Sequence, residues 1–403
     1  MALSRDPGVT QVDAAPGNPG TWVTAKPRET GTLAAITSLN PTAATQVIAL
    51  ARKLDSNLVV IGPEAPLVAG VADQVRAAGI ACFGPSQAAA QIEGSKQFAK
   101  QVMAAAGVPT AESVYCRDVD QVGAALDHFG PPYVVKADGL AAGKGVIVTD
   151  DRQAALVHAV TCGGPMVVEQ FLDGPEVSFF AICDGESAIP LLPAQDFKRI
   201  GDGDTGPNTG GMGAYCPLPW APPDLTDTVM TQVIRPTCAE LAQRGIPFVG
   251  LLYAGLALTR HGLRVVEFNA RFGDPEVCAM LPLLRTPLGG LLWQAANGSL
   301  DDATPLEWDD GFCVAVVESA KGYPSSPLTG GLITLPTDGV IVQAGTALDK
   351  WGRLIASGGR VLSAVGLGPT LAVARENAYA TISRVDFADG YYRRDIAAAA
   401  AAG

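Results

Sequence analysis

Residues 134–149, VVKADGLAAGKGVIVT, restrict the possible folds more than any other stretch of this chain. A phosphate-binding P-loop needs four residues between its glycine and its Gly-Lys pair, then a Ser or Thr, then a helix. Here three residues separate Gly139 from Gly143-Lys144, Gly145 stands where the hydroxyl residue belongs, and β-branched strand sequence follows. The segment therefore reads as a β-hairpin whose glycine-rich tip lets backbone N–H groups approach an anion and moves as a lid. Lys136 on its first strand and Lys144 in its tip direct charge at a polyphosphate. The alternative is a flexible hairpin with solvated lysines. Only nine lysines occur in the chain, so two of them bracketing one loop favour the anion reading.

Further along, LRVVEFNARF (263–272) alternates with period 2, which sets Glu267, Asn269 and Arg271 on one face and Val266, Phe268 and Ala270 on the other. Magnesium accepts one or two protein oxygens and takes the rest from water and phosphate, so Glu267 and Asn269 form a sufficient pair, with Arg271 beside them for a transferring phosphoryl group. A polar, solvated edge strand is the competing reading. The GDPE that follows places Asp274 and Glu276 in a turn suited to a substrate amine or ribose. In VVEQFLDGPE, the strand end at Glu169 offers backbone groups to an adenine edge and Glu176 a carboxylate to ribose hydroxyls. Between these blocks, 196–215 holds six glycines at positions 201–213, which predicts a long functional loop carrying Asp196, Lys198 and Arg199, with a disordered linker as the alternative.

A length of 403 residues corresponds to two to four domains at roughly 150 residues each. Between residues 45 and 84, helix patterns alternate with the strands LVVIG and ACFG around a GPEAP turn, which predicts a parallel α/β unit. The helix in GSKQFAKQVMAAAG (94–107) stops at Gly107 and Pro109. From 133 to 183, YVVKA, GVIVT, PMVVEQF and EVSFFAICDG around a helix at 151–160 predict a small α+β unit. FVGLLYAGLALT and LRVVEFNARF form a hairpin through RHG. A strand-rich region from about 310 precedes a last helix near 369–383, and the alanines at 397–402 read as a frayed tail.

Net charge −12 without any Lys/Arg run excludes a nucleic-acid partner. Eight cysteines with no CxxC pair read as reduced core thiols of a cytosolic protein, and three scattered histidines leave little for an imidazole metal cluster. No apolar run reaches the ~18 residues of a membrane span, and MALSRDPGVTQV has neither a basic n-region nor an h-region. The expectation is a cytoplasmic protein without a membrane partner.

In order and spacing, GPEAPL (62–67), FGPS (83–86), EGSKQFAK (93–100), VVKADGLAAGKGV (134–146), QDFKRIGDGDTGPNTGGMGAY (195–215), EFNARFGDPE (267–276) and AKGYP (320–324) resemble the phosphoribosylamine–glycine ligases, or glycinamide ribonucleotide synthetases, of the ATP-grasp superfamily. The resemblance implies an α/β and α+β multidomain fold: an N-terminal parallel α/β domain at 1–87, an ATP-grasp domain at 88–294 with a lid at about 110–175, a strand-rich C-terminal domain at 295–396, and a tail at 397–403. It implies a monomeric carbon–nitrogen ligase of purine biosynthesis that joins glycine to 5-phosphoribosylamine through glycyl phosphate, consuming ATP with Mg²⁺ or Mn²⁺. Carried over by position, Lys96, Lys136, Gly143 and Lys144 contact phosphates. Glu169, Gln170, Phe171 and Leu172 surround adenine, and Glu176 takes the ribose. Glu267 and Asn269 hold metal, Arg271 and Lys144 act in catalysis, and Asp196, Lys198, Asp274 and Glu276 face the other substrates.

Three departures stand out. The family opens with a strand and glycine-rich turn of the kind VLVIGSGGREHA, whereas MALSRDPGVTQVDAAPGNPGT resembles the end of the first helix running into the second strand. About twenty residues and a central strand are expected to be missing. Phe197 replaces the usual His, and Val277-Cys278 replace Thr-Gln. Other readings are an impaired or non-catalytic nucleotide-binding relative, or an ATP-grasp ligase for another carboxylate such as bicarbonate.

Overall fold

The computed structural model describes residues 1–24, 39–140, 145–301 and 304–403. Near the N-terminus, Leu58–Val60 and Ala81–Phe83 pair in parallel, with Ala44–Lys53 and Val71–Ala77 packed beside them through Val71, Ala72 and Val75. GPEAP is not a turn: Glu64–Val68 is a short helix entered through Pro63. The opening stretch holds helices Ala2–Arg5 and Pro19–Thr24 and no strand among the described residues. Its prolines at 7, 16 and 19 remove ladder donors. Asp6 fixes it elsewhere, accepting from the Gly289 amide at 2.6 Å.

Two of the sheets are antiparallel and four-stranded. The first sheet runs Ser113–Cys116, Met166–Glu169, Tyr133–Ala137, Val146–Thr149, under the helices Val119–Phe129 and Arg152–Cys162, with Val122, Leu126, Val135 and Met166 in its core. The second sheet runs Gly262–Asn269, Val249–Thr259, Glu176–Asp184, Ala188–Pro190. Glu176–Asp184 thus belongs to this sheet and not to the small α+β unit that its sequence neighbours suggest. Its run VSFFAIC is buried on both faces, which only a central strand tolerates.

The glycine-rich 196–215 segment is not one long loop. Arg199–Gly201 and Thr205–Asn208 form a hairpin, and Gln195–Asp196 and Gly213–Cys216 join the sheet built on Phe312–Ala320 and Arg360–Gly368. Glycine serves this packing by absence of bulk: a Cβ on Gly213 would lie 2.7 Å from the Ala315 carbonyl oxygen. The C-terminal sheet therefore includes strands from sequence far upstream of residue 295. Leu371–Ile382 covers one face of it. The terminal alanines are not frayed either. Ala398–Ala402 is helical, Ala397 is buried, and Ala400 and Ala401 pack on the core, because alanine carries high helix propensity and fits close approaches.

Candidate active site

The hairpin predicted at 134–149 exists, with Tyr133–Ala137 paired to Val146–Thr149 and the Ala137 amide donating to Gly145 at 2.7 Å. Gly143 and Lys144 lie outside the described residues. Beneath it, Ser95 caps the helix Lys96–Ala106 by accepting from the Phe98 amide at 3.1 Å. Asp138 of the hairpin accepts from the Lys96 amide at 2.6 Å, a carboxylate against the positive end of a helix dipole. The Lys96 ammonium returns to the hairpin, donating to the Gly139 carbonyl at 3.1 Å. Burial lowers the pKa of Lys96, while Glu267 works in the opposite direction.

Lys136 is buried and donates to Glu169 at 2.7 Å and to the Val266 carbonyl at 2.9 Å. That carbonyl is available because Val266 is an extra residue: Gly255 pairs with Glu267 and Leu256 with Val265, which leaves a bulge between them. Burial opposes the charge of Lys136, but the carboxylates of Glu169 and Glu267 hold its pKa above the ordinary lysine value. The Glu169 carboxylate turns to two lysines. Buried, it lies between Lys136 and Lys100, the latter at 3.1 Å, and these two ammonium groups bring its pKa below the usual value against the effect of burial. Gln170 donates its amide to the Glu112 carbonyl at 2.9 Å, Phe171 is exposed and Leu172 half-buried.

Asn269 pairs with Tyr253 and Glu267 with Gly255, so both project from the same face of the sheet, opposite to buried Phe268. The bulge precedes this pair and leaves its alternation intact. Arg271 departs from the expectation. The strand ends at Asn269, and the guanidinium turns to Glu64 at 3.1 Å and Glu93 at 3.2 Å, so local strand period does not govern its direction. Burial lifts the Glu93 pKa to about 7 despite the nearby arginine.

Lys198 joins the ribose-side and substrate-side candidates, 2.5 Å from Glu176 and 3.2 Å from Asp196. Burial pushes the Asp196 carboxyl up to about 7, with Lys198 opposing, and the two carboxylates hold Lys198 well above its usual pKa against burial. Phe197, in the family's histidine position, points its ring toward Arg393, whose guanidinium carbon is 5.0 Å from the ring centroid.

Glu276 is not in a turn: it starts the helix Glu276–Met280 and is buried, accepting from Tyr253 at 2.7 Å and Ser178 at 3.1 Å. Its neighbour Asp274 is half-exposed and faces Arg360 at 3.4 Å. Arg360 also donates to the Gly210 carbonyl at 2.6 Å, and Tyr323 accepts from the Gly210 amide at 2.9 Å, so C-terminal residues pin both substrate-side turns. Sequence reasoning passed over Lys100, Arg360, Tyr253 and Ser178. Only Lys100 carried a readable signal, lying one helical turn from Lys96.

The donor chemistry fits a hard divalent cation. Glu267 and Asn269 offer two oxygen ligands, and among the described residues no group of three or more His, Cys, Asp or Glu could hold an ion. A metal here needs phosphate oxygens and water to complete its shell, as magnesium on a nucleotide does.

Comparison with known proteins matches three models of phosphoribosylglycinamide synthetase: the N domain over residues 1–93, the ATP-grasp (A) domain over 94–277 and the C domain over 313–399. The chain is 54% identical over 408 residues to the phosphoribosylamine–glycine ligase of Streptomyces coelicolor, spanning 99% of this chain and 95% of that protein. It is 51% identical over 411 residues to the same-named protein of Mycobacterium leprae, spanning 100% and 95%. The crystal structure of phosphoribosylamine–glycine ligase from Thermotoga maritima superposes with a TM-score of 0.79 at 32% identity, covering 95% of this chain and 93% of that one. The biotin carboxylase domain of Hydrogenobacter thermophilus 2-oxoglutarate carboxylase, crystallised with MgADP and bicarbonate, shares the fold alone, with a TM-score of 0.68 at 17% identity over 88% and 81% of the two chains.

Proposed function

The chain belongs to the phosphoribosylglycinamide synthetase family, and from that premise we propose how its residues divide the work of joining glycine to 5-phosphoribosylamine. It is an ATP-dependent ligase of purine biosynthesis that acts on small molecules with ATP and a divalent metal. Our reading is a two-step reaction. A glycine carboxylate oxygen attacks the γ-phosphorus of ATP and releases ADP. The amine of phosphoribosylamine then attacks the acyl carbon of glycyl phosphate, releasing phosphate and a proton.

In this reading Lys96, Lys136, Gly143 and Lys144 contact the phosphates, and Lys144 assists transfer. The backbone from Glu169 to Leu172 borders the adenine and Glu176 the ribose. Glu267 and Asn269 would hold Mg²⁺, or Mn²⁺ in its place, and the ion would neutralise charge on the transferring phosphoryl group. Asp196, Lys198 and Asp274 face glycine and the amine. Asp196, with its pKa near 7, suits the proton that the amine gives up. Glu276 acts from behind by orienting Tyr253, and Arg271 ties the N-terminal unit to the metal strand. We read the enzyme as a cytoplasmic monomer. Its eight unpaired cysteines support that compartment, and no described helix is long and apolar enough to cross a membrane.

The observation that carries this reading is the shared face of Glu267 and Asn269, with the Glu267 charge acting on Lys96, Lys136 and Lys198 together. Mixing the protein with ATP, Mg²⁺, glycine and freshly made phosphoribosylamine is expected to release ADP only when glycine is present. ADP release that ignores glycine, or that bicarbonate supports equally, would overturn it.

A further inference from the structure

Lys100 cannot reach a ligand, because its three ammonium hydrogens are all engaged by the protein. They go to Glu169 at 3.1 Å, to the Thr110 hydroxyl at 2.9 Å and to the Ala111 carbonyl at 2.9 Å. Lys136 differs by one bond. It gives two hydrogens, to the other oxygen of Glu169 and to Val266, and has no third partner among the described residues. The three side chains together form a row of +1, −1 and +1, buried at Glu169 and Lys136 and partly buried at Lys100, with the hydrogen that has no partner among the described residues at one end.

We infer that Lys100 is a positioning residue for the nucleotide triphosphate, balancing Glu169 from behind so that the charge of Lys136 is not cancelled toward the phosphates and its direction is fixed. This rests on the assignment of Lys136 to ATP phosphates. Without Lys100 the buried row sums to zero, and Glu169 turns from a shared anchor into a full counter-ion that competes with ATP for Lys136. Glu169 stays ionised against its burial because two cations face it. Lys100 also connects the sheet of Glu169 to the strand of Val265. The Thr110 hydroxyl that accepts from it donates to the Val265 carbonyl at 2.7 Å, one residue before the carbonyl that receives Lys136. Both lysines thereby register the sheet of Lys136 and Glu169 against the strand that bears Glu267 and Asn269.

Calorimetric binding of a non-hydrolysable ATP analogue with Mg²⁺ to the full chain tests this. Lys100→Met is expected to weaken binding by about tenfold, and Lys100→Arg to keep most of the affinity. The double variant Lys100→Met/Glu169→Gln, in which the three positions again sum to +1, should recover most of what the single variant loses. Residues that merely fill space would show no such recovery. Unchanged affinity in Lys100→Met, or a double variant as weak as the single one, would overturn the inference. Should Lys100→Met fail to fold, the double variant decides, because it leaves no unpaired buried carboxylate: affinity near that of the parent supports the inference, and loss equal to that of Lys136→Met rejects it. Parental affinity in Lys136→Met would instead remove the phosphate role of Lys136 on which the inference stands.

Discussion

Gly255 stands directly across the strand pair from Glu267, and a Cβ at that glycine would lie 3.4 Å from the Glu267 Cγ. The carboxylate side chain thus lies over a position without a side chain, on the face that also presents Asn269. Gly255→Ala meets only ordinary contact and is expected to retain activity, whereas Gly255→Val should displace the carboxylate and cut turnover by about tenfold or more with the fold intact. Glu267→Ala should abolish turnover while metal-free ATP still binds. Steady-state rates beside a circular-dichroism melt read both. A tenth of parental turnover left in Glu267→Ala, about 1.4 kcal/mol in barrier, contradicts the metal role.

Arg271 bridges Glu64 and Glu93, and Glu93 also accepts from the Ala270 amide at 2.7 Å. Removing the guanidinium leaves Glu93 buried with that one amide for compensation. Arg271→Met is expected to cost about 2–3 kcal/mol in urea unfolding at pH 8, and adding Glu93→Gln should return part of it. A single variant as stable as the parent would show that the arginine is reserved for substrate.

Glu318 is buried in the strand Phe312–Ala320, and its Oε2 has no hydrogen-bond partner among the described residues. Burial raises its pKa from 4.5 to about 7. Since the folded-state value is the higher one, the folded protein binds this proton more tightly. Its stability therefore declines as pH climbs from about 4.5 to about 7, then levels. Glu318→Gln should remove that slope and gain on the order of 2 kcal/mol at pH 8, little at pH 4.5. Urea midpoints at both pH values check it, and an unchanged pH gap in the variant counts against it.

Short-range patterns reported what depends on neighbours in the chain. The hairpin at 134–149, the Lys96–Ala106 helix with its glycine stop, and the common face of Glu267 and Asn269 all follow from periodicity and turn chemistry within about a dozen residues. The errors share another origin. The 196–215 segment, rich in glycine, looks like a loop because its strands are two to four residues long and Gly213–Cys216, which anchors them, pairs with a strand about a hundred residues downstream, and the alanine tail looks frayed because the surface that receives it is not written beside it.

Charge partners were least legible. That Glu169 faces two lysines, that Arg271 turns to Glu64 and that Glu276 orients Tyr253 depend on contacts between elements as much as 207 residues apart. By itself the sequence determined the locally patterned elements, the shared face of Glu267 and Asn269 and the kind of chemistry, because backbone preference and side-chain donor type are local properties. Which carboxylate stays free for a ligand was decided only by tertiary structure, since Coulomb attraction and desolvation act through space and take no account of order along the chain.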